Sequence, residues 1–228
     1  MIVHTSNPNL EAIRRASDQL AGVAVETPLL RNPILDERVN ANILIKPECL
    51  QRVGAFKFRG AYNRLTLLDD KEKQYGVVVH SSGNHAQGVA YASKLLGIPA
   101  TIEMSSNSPQ IKLERTRAYG AVVKLYDRET ESREEIAQQL NEGTHAVLIK
   151  PFDDPEIIVD QGTHTISFAC QHLKLVVEPG GAVALAAVLY NKIDLQGKTV
   201  GIILSGGNID PQFFQSVYYS GRIPSNEV

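Results

Sequence analysis

GVVVHSSGNHAQGVAYASKLL, residues Gly76 to Leu96, reads as one strand, one polar turn and one helix. Gly76 to His80 is a valine run of the kind found in strands covered on both faces. From His85 to Leu96 the apolar residues return at helical spacing. Between them, Ser81-Ser82-Gly83-Asn84 places two hydroxyls, a glycine and exposed N–H groups at a helix start, which suits a carboxylate or a phosphate. A serine-capped helix with an Asx turn accounts for the same residues without any ligand.

The alternation continues in both directions. Downstream the pattern gives a strand at Ala100 to Met104, a helix at Pro109 to Tyr119, a strand at Ala121 to Leu125, a charged helix at Arg128 to Leu140 and a strand at Ala146 to Ile149. Helix-period residues run from Pro155 to Leu173, a further helix from Val183 to Tyr190, a buried strand from Thr199 to Leu204 and a last helix from Pro211 to Tyr218. Upstream lie a helix at Phe58 to Leu68, a strand at Asn42 to Lys46, a short amphipathic piece at Ile34 to Val39 and a helix at Pro8 to Ala21. Strands and helices in this order predict an α/β fold, with parallel twisted sheets, helices on both faces and ligands at the carboxyl ends of the strands. Prolines and aspartates from Lys150 to Pro155 interrupt the pattern and mark a boundary.

Just after the strand at Asn42 to Lys46 comes Gly54-Ala55-Phe56-Lys57-Phe58-Arg59-Gly60-Ala61. A lysine between two phenylalanines at a helix start is placed as an amine nucleophile needs to be. The alternative is a solvated surface lysine beside Arg59. Two other glycine turns follow apolar segments: Glu178-Pro179-Gly180-Gly181-Ala182, which close helix–sheet packing would also explain, and Ser205-Gly206-Gly207-Asn208.

Composition narrows the function. The chain has 228 residues, 43% hydrophobic and 21% charged, with a net charge of −2. No basic block or basic-aromatic stripe is present, so nucleic acid is not an expected partner. No apolar run is long enough for a bilayer span, and the N-terminus does not read as a secretory signal. Two cysteines give neither a disulfide framework nor zinc spacing, so the expected compartment is the cytoplasm and no metal site is expected. Neither a P-loop nor a GxSxG elbow occurs.

Taken together and in this order, GAFKFRGA, SSGNHAQG, EPGGA and SGGN resemble the serine/threonine dehydratase family. These are fold type II pyridoxal-phosphate enzymes that include threonine ammonia-lyases, serine dehydratases, serine racemases and hydroxyaspartate ammonia-lyases. The resemblance implies pyridoxal 5'-phosphate as cofactor, held by Lys57 as a Schiff base with Phe56 alongside. Asn84 would bond the ring hydroxyl, Ser205 would face the ring nitrogen, and Glu178 and Gly180 would line the pocket. Ser81, Ser82, Gly83, Asn84 and His85 would hold the substrate carboxylate. Ser82 matches the position that in serine racemases handles the α-proton on the face opposite the lysine. The implied activity is conversion of a β-hydroxy amino acid such as L-threonine or L-serine to a 2-oxo acid and ammonia. A serine racemase-type activity, or an inactive truncated relative acting as a binding protein, are the alternatives. The expected partners are an amino-acid substrate and further copies of the chain in a homo-oligomer.

Two departures from the family pattern stand out. Ala55 replaces the usual serine before Phe-Lys. More importantly, Thr163 is followed within a few residues by Ala169, so the long segment carrying the tetraglycine phosphate loop is absent. The large domain, expected at residues 1–50 and 151–228 around a small domain at 51–150, is therefore incomplete. Either a segment is omitted from the sequence, or a shortened chain is held together as an oligomer. Removing central strands should expose apolar sheet edges.

Overall fold

The computed structural model describes residues 9–127, 130–131, 147–148 and 159–220. The charged helix expected at 128–140 lies outside them apart from Thr130 and Glu131, and so does the boundary expected at 150–155.

The chain opens with helix α1 (Leu10–Leu20), whose first turn is capped by Asn9 accepting from the Ala12 N–H at 2.8 Å, and helix α2 (Pro33–Val39), capped in the same way by Asn32. Strand β1 (Asn42–Pro47) follows. After two short turns come α3 (Lys57–Thr66), α4 (Asp70–Tyr75), β2 (Val77–His80), α5 (Asn84–Leu96), β3 (Ala100–Ser105), α6 (Gln110–Ala118), β4 (Val122–Tyr126) and β5 (Val147–Leu148). The described C-terminal part contains α7 (Val159–Phe168), a π-turn at Ala169–Leu173, α8 (Pro179–Leu189), β6 (Thr199–Leu204) and α9 (Pro211–Ser220).

Among the described residues these strands form two parallel sheets. One has four strands in the order β4-β3-β2-β5, and the other pairs β1 with β6. Each has its own core. Phe58, Leu65, Val77, Val79, Val89, Ile102 and Met104 pack within the first, and Leu35, Ile43, Ile45, Phe168, Leu185 and Leu204 within the second. The whole four-stranded unit is inserted between β1 and β6, which lie in register with Lys46 opposite Ile203 and Pro47 opposite Leu204. That register brings the chain leaving β1 towards Lys57 alongside the chain leaving β6 at Ser205.

Three details differ from the sequence pattern. Helix α4 was not expected; it is six residues of charged surface with no buried side chain, held by a capping box between Asp69 and Glu72. Helix α8 starts at Pro179 rather than Val183, because proline is tolerated at a first helical position and carries Gly180 and Gly181 into the helix. Strand β6 was expected to be buried, yet only alternate residues are: Ile202 and Leu204 face the core, whereas Ile203 is 54% exposed.

Candidate active site

Lys57 is the first residue of α3, and backbone contacts to the turn after β6 set its position. Ala55 forms an isolated bridge with Gly206. The Phe56 N–H donates to the Ser205 carbonyl at 3.0 Å, and the Gly207 N–H donates to the Gly54 carbonyl at 2.9 Å. The Lys57 amine lies 5.1 Å from the centre of the Phe56 ring, a cation–π distance. The two flanking phenylalanines have different roles. Phe58 is fully buried in the core of the four-stranded half, while Phe56 is 42% exposed beside the lysine. Ala55 is fully buried against the Gly206 turn.

An ion pair locks the start of α3 to the end of β1. Arg59 grips Glu48 with two bonds, Nε to Oε2 at 2.7 Å and Nη2 to Oε1 at 2.8 Å, and the Thr27 hydroxyl donates to Oε1 at 2.7 Å. Burial pushes the Glu48 carboxyl up. The hydrogen bonds from Arg59 and Thr27 and the charges of Arg59 and Lys46 outweigh that and hold it below its ordinary value.

The Ser81–His85 loop enters from β2. Its Ser81 N–H donates to the Glu103 carbonyl at 3.0 Å, and the Ser82 hydroxyl oxygen accepts from the Ser105 N–H at 3.0 Å, so the loop is tied to the end of β3. Helix α5 approaches the start of α3 closely: a Cβ on Gly88 would come within 3.1 Å of the Lys57 carbonyl. The glycine therefore sets the spacing between the lysine and this loop.

The last two motifs close the cleft. A Cβ on Gly181 would fall 2.2 Å from the Gly206 carbonyl oxygen, and one on Gly206 would fall 2.1 Å from Glu178 Oε1 and 2.9 Å from Asn84 Nδ2. Only glycines allow α8, the turn after β6 and the start of α5 to meet at these distances. The Ser205 hydroxyl lies 3.5 Å from the Gly180 carbonyl. Asn84 donates from Nδ2 to Glu178 Oε1 and accepts at Oδ1 from Asn208 Nδ2 at 2.8 Å. Motifs 124 residues apart in sequence thus share one hydrogen-bonded cluster.

Three members of that cluster were not expected as site residues. Lys112 on α6 places its Nζ 3.9 Å from Glu178 Oε2, Arg115 on the same helix donates to Asn208 Oδ1 at 2.7 Å, and Asn208 links both sides. Asn208 belonged to a recognised motif, but cations on a helix surface look like ordinary solvated residues in a sequence.

The donor set fits the ring end of pyridoxal phosphate. A side-chain amide, a carboxyl and a hydroxyl able to donate or accept gather around backbone that only glycine permits, and the segment that carries the Lys57 amine is bridged to the same turn. For the phosphate end, the sequence holds no glycine run beyond those at 180–181 and 206–207.

Comparison with known proteins gives a consistent picture. The profile of the family described as pyridoxal-phosphate dependent enzyme matches residues 21–169, ending where the sequence departs from the family pattern. The L-threo-3-hydroxyaspartate ammonia-lyase of a Pseudomonas species is 47% identical over 149 residues, 65% of this chain and 47% of that protein. The protein of the same name from Saccharomyces cerevisiae is 38% identical over 221 residues, 95% of this chain and 67% of that protein. The structure of maize serine racemase superposes with a TM-score of 0.83 at 26% identity, over 94% of this chain and 98% of that one. The chain spans about half to two thirds of the length of the curated relatives it matches.

Proposed function

This chain belongs to the pyridoxal-phosphate-dependent enzyme family, and from that premise we propose that it is an ammonia-lyase for β-hydroxy amino acids, yielding a 2-oxo acid and ammonia. Membership implies pyridoxal 5'-phosphate as the cofactor. The observation that carries the reading is the meeting of four separate motifs at one cleft, with the Lys57 segment bridged to the Ser205–Gly206 turn and Asn84 bonded towards both Glu178 and Asn208.

When bound, the cofactor supplies an electron sink for the bond pair left at the substrate α-carbon. The chain's own residues do the rest. The Lys57 amine would hold the cofactor and, as a free amine, would take the α-proton. The N–H groups of the Ser81–His85 loop hold the substrate carboxylate, with His85 buried behind them. Asn84 and Ser205 would orient the ring at its hydroxyl and nitrogen, Phe56 would lie beside the lysine, and Glu178 and Gly180 would line the wall opposite α5. The β-hydroxyl leaves as water, a water molecule is taken up again, and the nitrogen departs as ammonia.

Because two of the relatives are named for L-threo-3-hydroxyaspartate, that amino acid is the first substrate to assay, followed by L-threonine and L-serine. The hydroxyl of Ser82, placed by its bond from Ser105, supports racemisation as a side activity. A homo-oligomer goes with this reading, since Val176, Val183 and Ile203 leave apolar surface uncovered.

The test is release of ammonia and 2-oxo acid from each of the three amino acids by protein supplied with pyridoxal phosphate. Turnover that Lys57→Ala abolishes supports the reading. No turnover of any of the three, by protein that carries the cofactor, would replace it with a binding role.

A further inference from the structure

We propose that Arg115 is a positioning residue for this site: acting through Asn208, it fixes and polarises the Asn84 amide that faces the cofactor ring. The inference rests on the reading above and deepens it.

Helix α6 carries Lys112 and Arg115 one turn apart on the same face. A guanidinium can only donate hydrogen bonds, so the Asn208 atom that it meets at 2.7 Å is the oxygen. The Asn208 NH2 group is thereby directed to the Val53 carbonyl at 2.7 Å and to Asn84 Oδ1 at 2.8 Å. A backbone carbonyl only accepts, so Val53 imposes the same orientation independently. With its oxygen occupied, Asn84 turns its NH2 group towards the cleft, where it donates to Glu178 Oε1. Lys112 holds the other oxygen of Glu178 at 3.9 Å. One helix therefore grips both ends of the cluster.

The amides all run in one direction, donor to acceptor, beginning at a positive charge. A bond from a charged donor draws electron density from the Asn208 oxygen and makes its NH2 a better donor, and the effect passes to Asn84 along the chain. The space for this arrangement is built in. Gly54 has φ 71°, and a Cβ there would lie 2.8 Å from Asn208 Oδ1. A stronger donor at Asn84 favours the ionised form of the cofactor's ring hydroxyl over the neutral one. Arg115 touches neither ring nor substrate, so its influence is indirect.

The experiment compares absorbance spectra of wild type, Arg115→Met, Arg115→Lys and Asn208→Asp proteins loaded with pyridoxal phosphate, together with cofactor affinity by titration. Arg115→Met is expected to move intensity from the long-wavelength band of the ionised ring hydroxyl to the short-wavelength band, and to weaken cofactor affinity about tenfold. Arg115→Lys should restore most of the long-wavelength band. Asn208→Asp keeps a partner for Arg115 but cannot donate to Asn84, so it should reproduce the shift even if Arg115→Met fails to fold. Unchanged band ratios and affinities in the folded variants, beside a wild type with a normal Lys57 adduct, overturn this inference alone. A wild type with no adduct overturns it together with the functional reading.

Discussion

In the four-stranded half of the molecule, β2 is a run of valines and Val77, Val78 and Val79 are all buried; in the two-stranded half, β6 is as apolar, yet Ile203 stands 54% exposed. The sequences of the two strands ask for the same environment, covered on both faces. What differs is the number of neighbours. β2 is flanked by β3 and β5, with α5 packed against its sheet, whereas among the described residues β6 pairs with β1 alone. An apolar strand records the sheet that it is suited to, and the two-stranded half is suited to a larger sheet than the described residues supply. Relatives of greater length, and the early end of the family match at Ala169, agree with that contrast.

The largest expected effect comes from cutting the link between the halves. Glu48, 4% exposed at the end of β1, holds Arg59 of α3. Glu48→Ala leaves that guanidinium without its carboxylate and should cost about 4 kcal/mol in urea unfolding. Because the Glu48 carboxyl is held below its ordinary value, its contribution is present at neutral pH and is lost as pH falls through the folded-state value. A loss under about 1 kcal/mol would mean that the halves are joined mainly by the glycine turns.

A smaller effect is expected within the four-stranded half. Glu103 on β3 is fully buried, and neither carboxyl oxygen has a hydrogen-bond partner among the described residues. Its strand neighbours in register are His80 and Lys124. Burial raises its pKa to about 7 from the ordinary 4.5, with Lys124 opposing. Below about pH 4.5 the group is protonated whether the chain is folded or not. As pH rises from there to about 7, the unfolded chain releases the proton first, so stability falls, by up to about 3 kcal/mol, and then levels off. Glu103→Gln should flatten that slope and raise the melting temperature at pH 8. An unaltered slope would place the pH dependence elsewhere.

The smallest effect on the monomer sharpens the comparison. Ile203→Lys adds a charge to exposed surface and should change monomer stability by less than about 0.5 kcal/mol. If the uncovered face joins copies of the chain, the same substitution shifts the sedimentation profile towards monomer. If the profile does not move, some other surface makes the oligomer.

Much of the fold was legible because it depends on local pattern. The valine run of β2 and the helical spacing after Asn84 each act within a few residues. Helix α4 has a capping signal in its Asp69 and Glu72 spacing, but a six-residue segment with four charges offers no apolar stripe to read. The site divides in the same way. Lys57, Asn84, Glu178 and Ser205 stood in motifs that could be read from the chain, whereas the grip of Arg59 on Glu48 and of Arg115 on Asn208 could not. Arg115 and Asn208 are 93 residues apart, and only the insertion of one half between β1 and β6 brings them together.

The central claim is that the cleft between the halves holds pyridoxal phosphate on Lys57. Borohydride reduction of protein incubated with pyridoxal phosphate, followed by intact mass and peptide mapping, tests it directly. The account predicts one adduct per chain, on the peptide containing Lys57, and none in the Lys57→Ala variant. No adduct, or adducts spread over surface lysines and unchanged by that variant, would contradict it.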